Sequence, residues 1–367
     1  MTQTKIVKNA YEKLKGISTA GNCLVGFDGF VDEIIHVVDK RKSPHEYERI
    51  KTITGFSERI ARAAGFSANI ELVPIQSKLG GNGPIMANGL LTLNNKVTYI
   101  GALGKEKIHP VFDSFAKKCN HLISVADPGF TDALEFYDGK IMLGKMNNLT
   151  DVSWENIIAA TSEKEVLSII KTSDLIAYTN WTMLSNLNDI MVVFNDIIKT
   201  HKLKPRVFID LADPKKRSEQ ALSQVLEIIS KLDTETILSM NESESGIISE
   251  VLGIEEKDIT ARAVKIRNKL DIFAIIIHPV KGAAISTEEE SIWVDGPYTA
   301  KPKLTTGAGD NFNAGFCNGW INGLSPSEAI AVGVCTSGFY VRNKKSPSKE
   351  ELAGFMSNWI DNDCKEV

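Results

Sequence analysis

An α/β fold built on a mostly parallel sheet is what this sequence predicts, and three observations carry the prediction. Short apolar runs of strand length recur through the second half of the chain. Amphipathic stretches of helical period separate them. Polar residues stand at the C-terminal ends of the runs. Alternation of this kind implies βαβ units whose helices cover both faces of the sheet.

Taken in order, Gly21 to Gly26 opens a strand through Cys23-Leu24-Val25, and a long polar stretch runs from His36 to Ser77. Residues 133–146, ALEFYDGKIMLGKM, read as a hairpin turning at Asp138-Gly139. These segments cannot all join a parallel core. A small second layer or lid is therefore expected, at about 34–78 and 131–147, on a single domain spanning 1–367. From residue 170 the alternation sets in. Leu175–Asn180 reads as a strand, followed by a helix through Ile190, Val193 and Ile197. Arg206–Asp210 is the next strand, with a helix from Ser218 to Lys231. Thr236–Asn241 is a third, with helical stretches to about residue 270, and Ile272–His278 a fourth. Open α/β sheets bind ligands beyond the C-terminal ends of their strands, which singles out Asn180, Asp210 and Asn241.

The composition sets the class. The chain has 367 residues, 43% hydrophobic and 24% charged, as soluble globular proteins do. A formal net charge of −4 argues against nucleic acid or an anionic membrane as a partner. Cysteines 23, 119, 317, 335 and 364 are scattered, with no CxxC pair, a pattern of reduced thiols and not of a disulfide framework or zinc site. The first sixteen residues lack the apolar core of a signal peptide, and the longest apolar run, Ile272 to Ile277, is far too short to span a bilayer. A cytoplasmic enzyme is the expectation.

The segment TTGAGDNFNAGF, from Thr305 to Phe316, is the densest chemical signal. Gly307 and Gly309 leave backbone amides open to a ligand. Phe312, Phe316 and Trp320 recur every four residues, so a helix begins near Ala308 and buries one face. Its first-turn N–H groups and dipole make an anion site, with Asp310 inside that field. By itself the segment also reads as a tight glycine turn with an Asp cap. Ser325-Pro326-Ser327-Glu328 is a capping box with Pro at the first helical position, and no function attaches to it.

Four motifs together resemble the ribokinase-like (PfkB) carbohydrate and nucleoside kinases. One is the Gly-Ala-Gly-Asp helix start, here Gly307-Ala308-Gly309-Asp310, followed by Phe312-Asn-Ala-Gly-Phe316. The second is Gly80-Gly81-Asn82-Gly83 leading into a helix and then Val97 to Gly104. The third is Val25 to Asp32, where the family has a strand ending in glycine and a substrate-binding Asp. The fourth, Asn241-Glu242-Ser243-Glu244, is similar to the family's Asn-x-x-Glu. They stand in the family's order and span residues 23 to about 343.

The resemblance implies a ribokinase-like three-layer sandwich and ATP-dependent phosphorylation of a sugar or related polyol. Phosphoryl transfer needs positioning and charge neutralisation, and the implied roles follow that need. Asp310 would be the general base, and Gly307, Ala308 and Gly309 the anion hole. Asp28 and Asp32 would bind substrate hydroxyls, Asp32 by its Val-Asp-Glu-Ile context, with Gly80, Gly81 and Asn82 close to the sugar. A polar turn after a strand is the plain alternative for the two acids. Asn241 and Glu244 would place Mg²⁺, mostly through water. Their Asn-x-x-Glu spacing equally suits a helix cap, and the two roles are compatible. Lys281 and Gly282 match the nucleotide side. Asp210 and Arg217 loosely match a phosphate-side segment of sugar kinases. A homodimer through the lid is a further implication.

Three departures qualify the resemblance. Ile85 stands where many members carry a sugar-binding Asn, so the sugar contact must move or specificity differ. Leu304 replaces an Asp near the family's monovalent-cation site, which argues against potassium activation. Ile277-His278-Pro279 replaces Thr-x-Gly beside the nucleotide. The nearest rival activity is an adenosine-type nucleoside kinase, for which Phe136 and Tyr137 could stack a base or simply pack the hairpin. A non-catalytic sugar- or nucleotide-binding protein on the same fold is the rival outside enzymes, and the intact Asp310 argues against it. Neither a GxxxxGK[ST] loop nor a Gly-x-Gly-x-x-Gly after the first strand is present, which removes P-loop and dinucleotide-binding classes.

Overall fold

The computed structural model describes residues 2–18 and 20–365. Its first strands in chain order are β1 (Asn22–Phe27), β2 (Phe30–Ser43), β3 (Glu46–Arg49), β4 (Leu72–Gly80), β5 (Lys96–Ala102), β6 (His121–Ala126), β7 (Gly129–Phe136) and β8 (Gly139–Lys145). There follow β9 (Leu175–Thr179), β10 (Arg206–Asp210), β11 (Thr236–Met240), β12 (Ala274–Ile277), β13 (Gly282–Ser286) and β14 (Ser291–Asp295).

A nine-stranded sheet runs in the order β14-β13-β12-β11-β10-β9-β1-β5-β6. It is parallel from β12 through to β6, with β13 and β14 added antiparallel at one edge. The strands that read as continuous apolar runs, such as Leu175–Thr179 and Thr236–Met240, are buried throughout. That is the pattern of strands covered on both faces. One face packs against the Gln3–Gly16, Asn82–Thr92, Ala308–Ile321, Pro326–Asn343 and Lys349–Asp361 helices. The other carries the helices between Trp154 and Leu270. The result is three layers.

A second, smaller sheet orders β3-β2-β7-β8, with β4 also on β2. The Asp138-Gly139 hairpin forms between β7 and β8. The stretch after His36, polar on paper, contains regular structure that its composition hides. β2 continues to Ser43, and a helix spans Ile53–Ala61. Ile35 and Val37 of β2 point with Leu134 and Phe136 of β7 into a small apolar cluster under Ile50 and Phe56. By the period of two, Asp32, Ile34 and His36 face the opposite side.

Candidate active site

Gly307 opens the Ala308–Ile321 helix with φ at 88°, a conformation that glycine adopts without penalty. A Cβ at that position would also lie 2.8 Å from the Tyr340 hydroxyl. Tyr340 donates to the Thr306 carbonyl at 2.9 Å and so pins the turn from the neighbouring helix. The Ala308 N–H donates to the Thr305 carbonyl at 3.0 Å. The first-turn amides with no partner described are therefore those of Gly309 and Asp310, at the positive end of the helix.

Asp310 is only 6% exposed, and its Oδ1 accepts a hydrogen bond from Asn82 Nδ2 at 2.9 Å. Burial holds its carboxyl well above the usual carboxylate range, and the negative charge of Asp210 pushes the same way. Asn82 begins the Asn82–Thr92 helix, so this one bond joins the glycine loop to a helix more than two hundred residues later.

The glycines of that loop have a steric reason. A Cβ on Gly80 would collide with the Asp32 carboxylate. A Cβ on Gly81 or Gly83 would come within 2.9 Å and 2.7 Å of the Asp28 oxygens. Asp28 is fully buried and accepts from the Asn82 N–H at 3.0 Å, the Gly83 N–H at 2.8 Å and Asn180 Nδ2 at 2.6 Å. Burial pushes its carboxyl up to about 6 in spite of these donors. Asp32 is less enclosed; burial raises its carboxyl too, against the pull of Thr131 and Lys78.

At the end of β11, Asn241 and Glu244 form a reciprocal capping box. Asn241 Oδ1 accepts from the Glu244 N–H at 3.0 Å, and the Glu244 oxygens accept from the Asn241 N–H at 2.8 Å and Nδ2 at 2.6 Å. Burial pushes Glu244 up to about 8, with Asp210 and Asp213 adding to the shift. Asp210 is buried at the end of β10, bonded by the Ala212 N–H and by Asn313 Nδ2, both at 2.7 Å. The charge of Asp210 thus raises both Glu244 and Asp310, and Asp28 and Glu244 add to the shift of Asp310. This field of buried carboxylates suits a divalent cation. No described group of three or more His, Cys, Asp or Glu side chains forms a direct cage, so the fit is to Mg²⁺ that keeps most of its waters.

Beside the helix start lies a cleft of about 310 Å³, lined among others by Asn241, His278, Gly282, Thr305, Gly309 and Phe312. His278 stacks on Phe312 with ring centroids 4.7 Å apart, and its Cε1 stands 3.4 Å from where a Gly309 Cβ would be. Burial pushes its imidazole down to about 4, so the ring is neutral at pH 7. Gly282 contributes backbone to the cleft, whereas Lys281 is exposed at the turn before β13.

Some expected residues lie elsewhere or act differently. Arg217 donates to the carbonyls of Trp181 at 2.7 Å and Thr182 at 3.1 Å, and its guanidinium covers the Trp181 ring at 4.2 Å. Those contacts hold the loops after β9 and β10 together. Ile85 packs toward Gly307, 3.3 Å from the position of a Cβ there. Leu304 is half-buried, with its N–H on the Val341 carbonyl. Phe136 is buried against Phe56, and Tyr137 is 68% exposed beneath Arg49. Sequence reasoning did not find Thr131 or Tyr340. It placed Asn180 at a strand end without its partner Asp28, since no local pattern links residues so far apart.

Comparisons with known proteins show the family and the fold. A family model described as prokaryotic ketohexokinase matches residues 1–359. A ketohexokinase of Haloferax volcanii is 26% identical over 98% of this chain and 97% of its own length. Among solved structures, an adenosine kinase from Sinorhizobium meliloti aligns with a TM-score of 0.68 at 16% identity, covering 93% of this chain and 99% of that one. A ribokinase from Thermotoga maritima aligns at 0.62 and 18% identity, covering 93% and 100%. No described helix is long and apolar enough to cross a membrane. The chain belongs to the prokaryotic ketohexokinase family and is a PfkB-type carbohydrate kinase of the ribokinase fold.

Proposed function

We propose that this chain transfers the terminal phosphoryl group of ATP to a hydroxymethyl group of a ketohexose, with Asp310 as the general base. The observation that carries the proposal is the bond from Asn82 to Asp310, which brings the glycine loop of the sugar side onto the helix start of the phosphate side. Membership of the prokaryotic ketohexokinase family supports a ketohexose as the substrate.

Each residue then has a physical task. Asp310 takes the proton of the attacking hydroxyl, oriented by Asn82. The amides at the start of the Ala308–Ile321 helix hold the charge that builds on the transferring group, with Gly307 and Ala308 shaping the turn. Asp32 accepts a hydrogen bond from a substrate hydroxyl. Asp28 has its oxygens occupied by three N–H donors and instead fixes the glycine loop from below. Asn241 and Glu244 would hold Mg²⁺ through water, and Gly282 with His278 would border the nucleotide. When bound, Mg²⁺ supplies the positive field that offsets the buried carboxylates. The small sheet carries Asp32 over the cleft as a lid. Its exposed Leu72, Ile75, Met142 and Leu143 fit a homodimer paired through that sheet, which light scattering would show as twice the chain mass.

The test is ATP consumption with ketohexoses, aldoses and nucleosides under Mg²⁺, with the product phosphate located by NMR. A ketohexose phosphorylated on a primary hydroxyl is the expected outcome. Turnover of adenosine with no ketose turned over would replace this assignment with a nucleoside kinase.

A further inference from the structure

The small sheet holds a charged pair that the chemistry above leaves half used. Asp32 stands directly opposite Lys78 of β4 in the antiparallel ladder, and opposite Thr131 of β7 on its other side. Residues paired in this way share a face, with Cβ atoms about 5 Å apart across the antiparallel ladder. Thr131 is buried and pairs with Asp32 across the parallel ladder, and Gly80 leaves room for the Asp32 carboxylate beside the backbone.

Lys78 differs from three other lysines of the small sheet. Lys140 pairs with Glu135 at 3.1 Å, Lys145 with Asp132 at 2.8 Å and Lys42 with Glu48 at 2.8 Å. Lys78 has no carboxylate within ion-pair distance among the described residues, although its charge favours the ionised form of Asp32. It is exposed, on the face that carries Asp32. On the opposite wall Ile85 offers no hydrogen bond, and the Asn82 amide is engaged by Asp310. The small sheet carries polar groups on the face of Asp32 that can meet further sugar hydroxyls.

We propose that Lys78 is a specificity-determining residue that, with Asp32, reads a vicinal diol on the sugar. The inference rests on the sugar-kinase assignment above. A hydroxyl both donates and accepts, so a carboxylate accepts a hydrogen bond from one hydroxyl while the ammonium donates to the oxygen of its neighbour. Thr131 is the positioning residue that holds Asp32 for this.

The test is initial-rate kinetics at saturating ATP and Mg²⁺ with D-fructose and its 3-deoxy and 4-deoxy analogues. Wild type, Lys78→Met and Lys78→Arg are compared at equal thermal midpoint. Lys78→Met should raise the KM for fructose about tenfold to a hundredfold, the worth of a hydrogen bond to a charged group. Its KM for ATP and its kcat should stay near wild type. One deoxy analogue should lose the same factor on wild type and nothing further on Lys78→Met, and Lys78→Arg should recover part of the loss. An unchanged fructose KM would overturn the inference. So would equal penalties for both analogues on both enzymes, or a change confined to the pH profile. If wild type phosphorylates neither fructose nor any other ketohexose, the substrate assignment falls and this inference with it. If wild type turns over fructose and Lys78→Met matches it throughout, this inference falls alone.

Discussion

The nine-stranded sheet and the small sheet bury their residues to different degrees. β9, β11 and β13 are buried along their whole length between helical layers. The small sheet covers one face, through Ile35, Val37, Leu134 and Phe136, while β4 leaves most of its residues exposed. Asp210 and Asn241 stand at strand ends of the large sheet, and Asp310 stands on a helix packed against it. Asp32 and Lys78 stand on the thin one. On the roles proposed above, the groups that carry the chemistry are therefore fixed by a dense core, and the groups that read the sugar sit on an element free to adjust.

The largest expected effect separates the two cores directly. Phe316 is fully buried between Phe208 and Trp320, with centroids 6.2 and 6.0 Å away. Phe316→Ala should cost about 3–5 kcal/mol of global stability by chemical denaturation. Phe56 packs on Phe136 at 5.4 Å in the small cluster. Phe56→Ala should leave the global midpoint nearly unchanged, speed amide exchange in β2 and β7, and raise the sugar KM. A global loss equal to that of Phe316→Ala would mean that the two sheets unfold as one unit, contrary to the contrast drawn here.

Gly307→Ala probes the fixed side. The added methyl meets Tyr340 and a φ of 88°, so the helix start must shift while the core keeps its packing. Turnover should fall about a hundredfold to a thousandfold, the loss seen when a preorganised oxyanion donor is displaced. The thermal midpoint should move far less.

The smallest expected effect is a pH dependence of stability in the ligand-free protein. Asp28 and Glu244 have folded-state values raised to about 6 and about 8, above those of the unfolded chain. Groups raised in this way stabilise the fold fully below the unfolded value and lose that contribution as pH rises through the folded one. The midpoint should fall by a few degrees between about pH 5 and pH 8, and ATP with Mg²⁺ should flatten the slope. A midpoint that rises over that window would contradict the buried-carboxylate account.

Much of this was legible in the sequence because the large sheet obeys simple rules. Strands covered on both faces must be apolar, so Leu175–Thr179 and Arg206–Asp210 stand out against their helices. The start of the helix at Ala308 was legible from its glycines and its four-residue aromatic spacing. The small sheet was only partly legible. β2 and the Ile53–Ala61 helix bury a few side chains on one face, and their polar residues mask the period. Asp32 was favoured by its Val-Asp-Glu-Ile context, but the separate place of Asp28 was not legible, since only the folded chain brings the Asn82, Gly83 and Asn180 donors to it. Thr131 and Tyr340 act across strands or helices and leave no local signal.

The central claim is that chemistry and sugar recognition reside on different sheets. Asp310→Asn and Asp32→Asn, assayed side by side for kcat and for both KM values, test it most directly. Asp310→Asn should lower kcat by about a hundredfold to ten-thousandfold, the range for a general base, with both KM values near wild type. Asp32→Asn should raise the sugar KM at least tenfold, the worth of a hydrogen bond to a charged group, with the ATP KM unchanged and kcat less affected. Turnover in Asp310→Asn within a few-fold of wild type, or the same kcat loss in both variants, would contradict it.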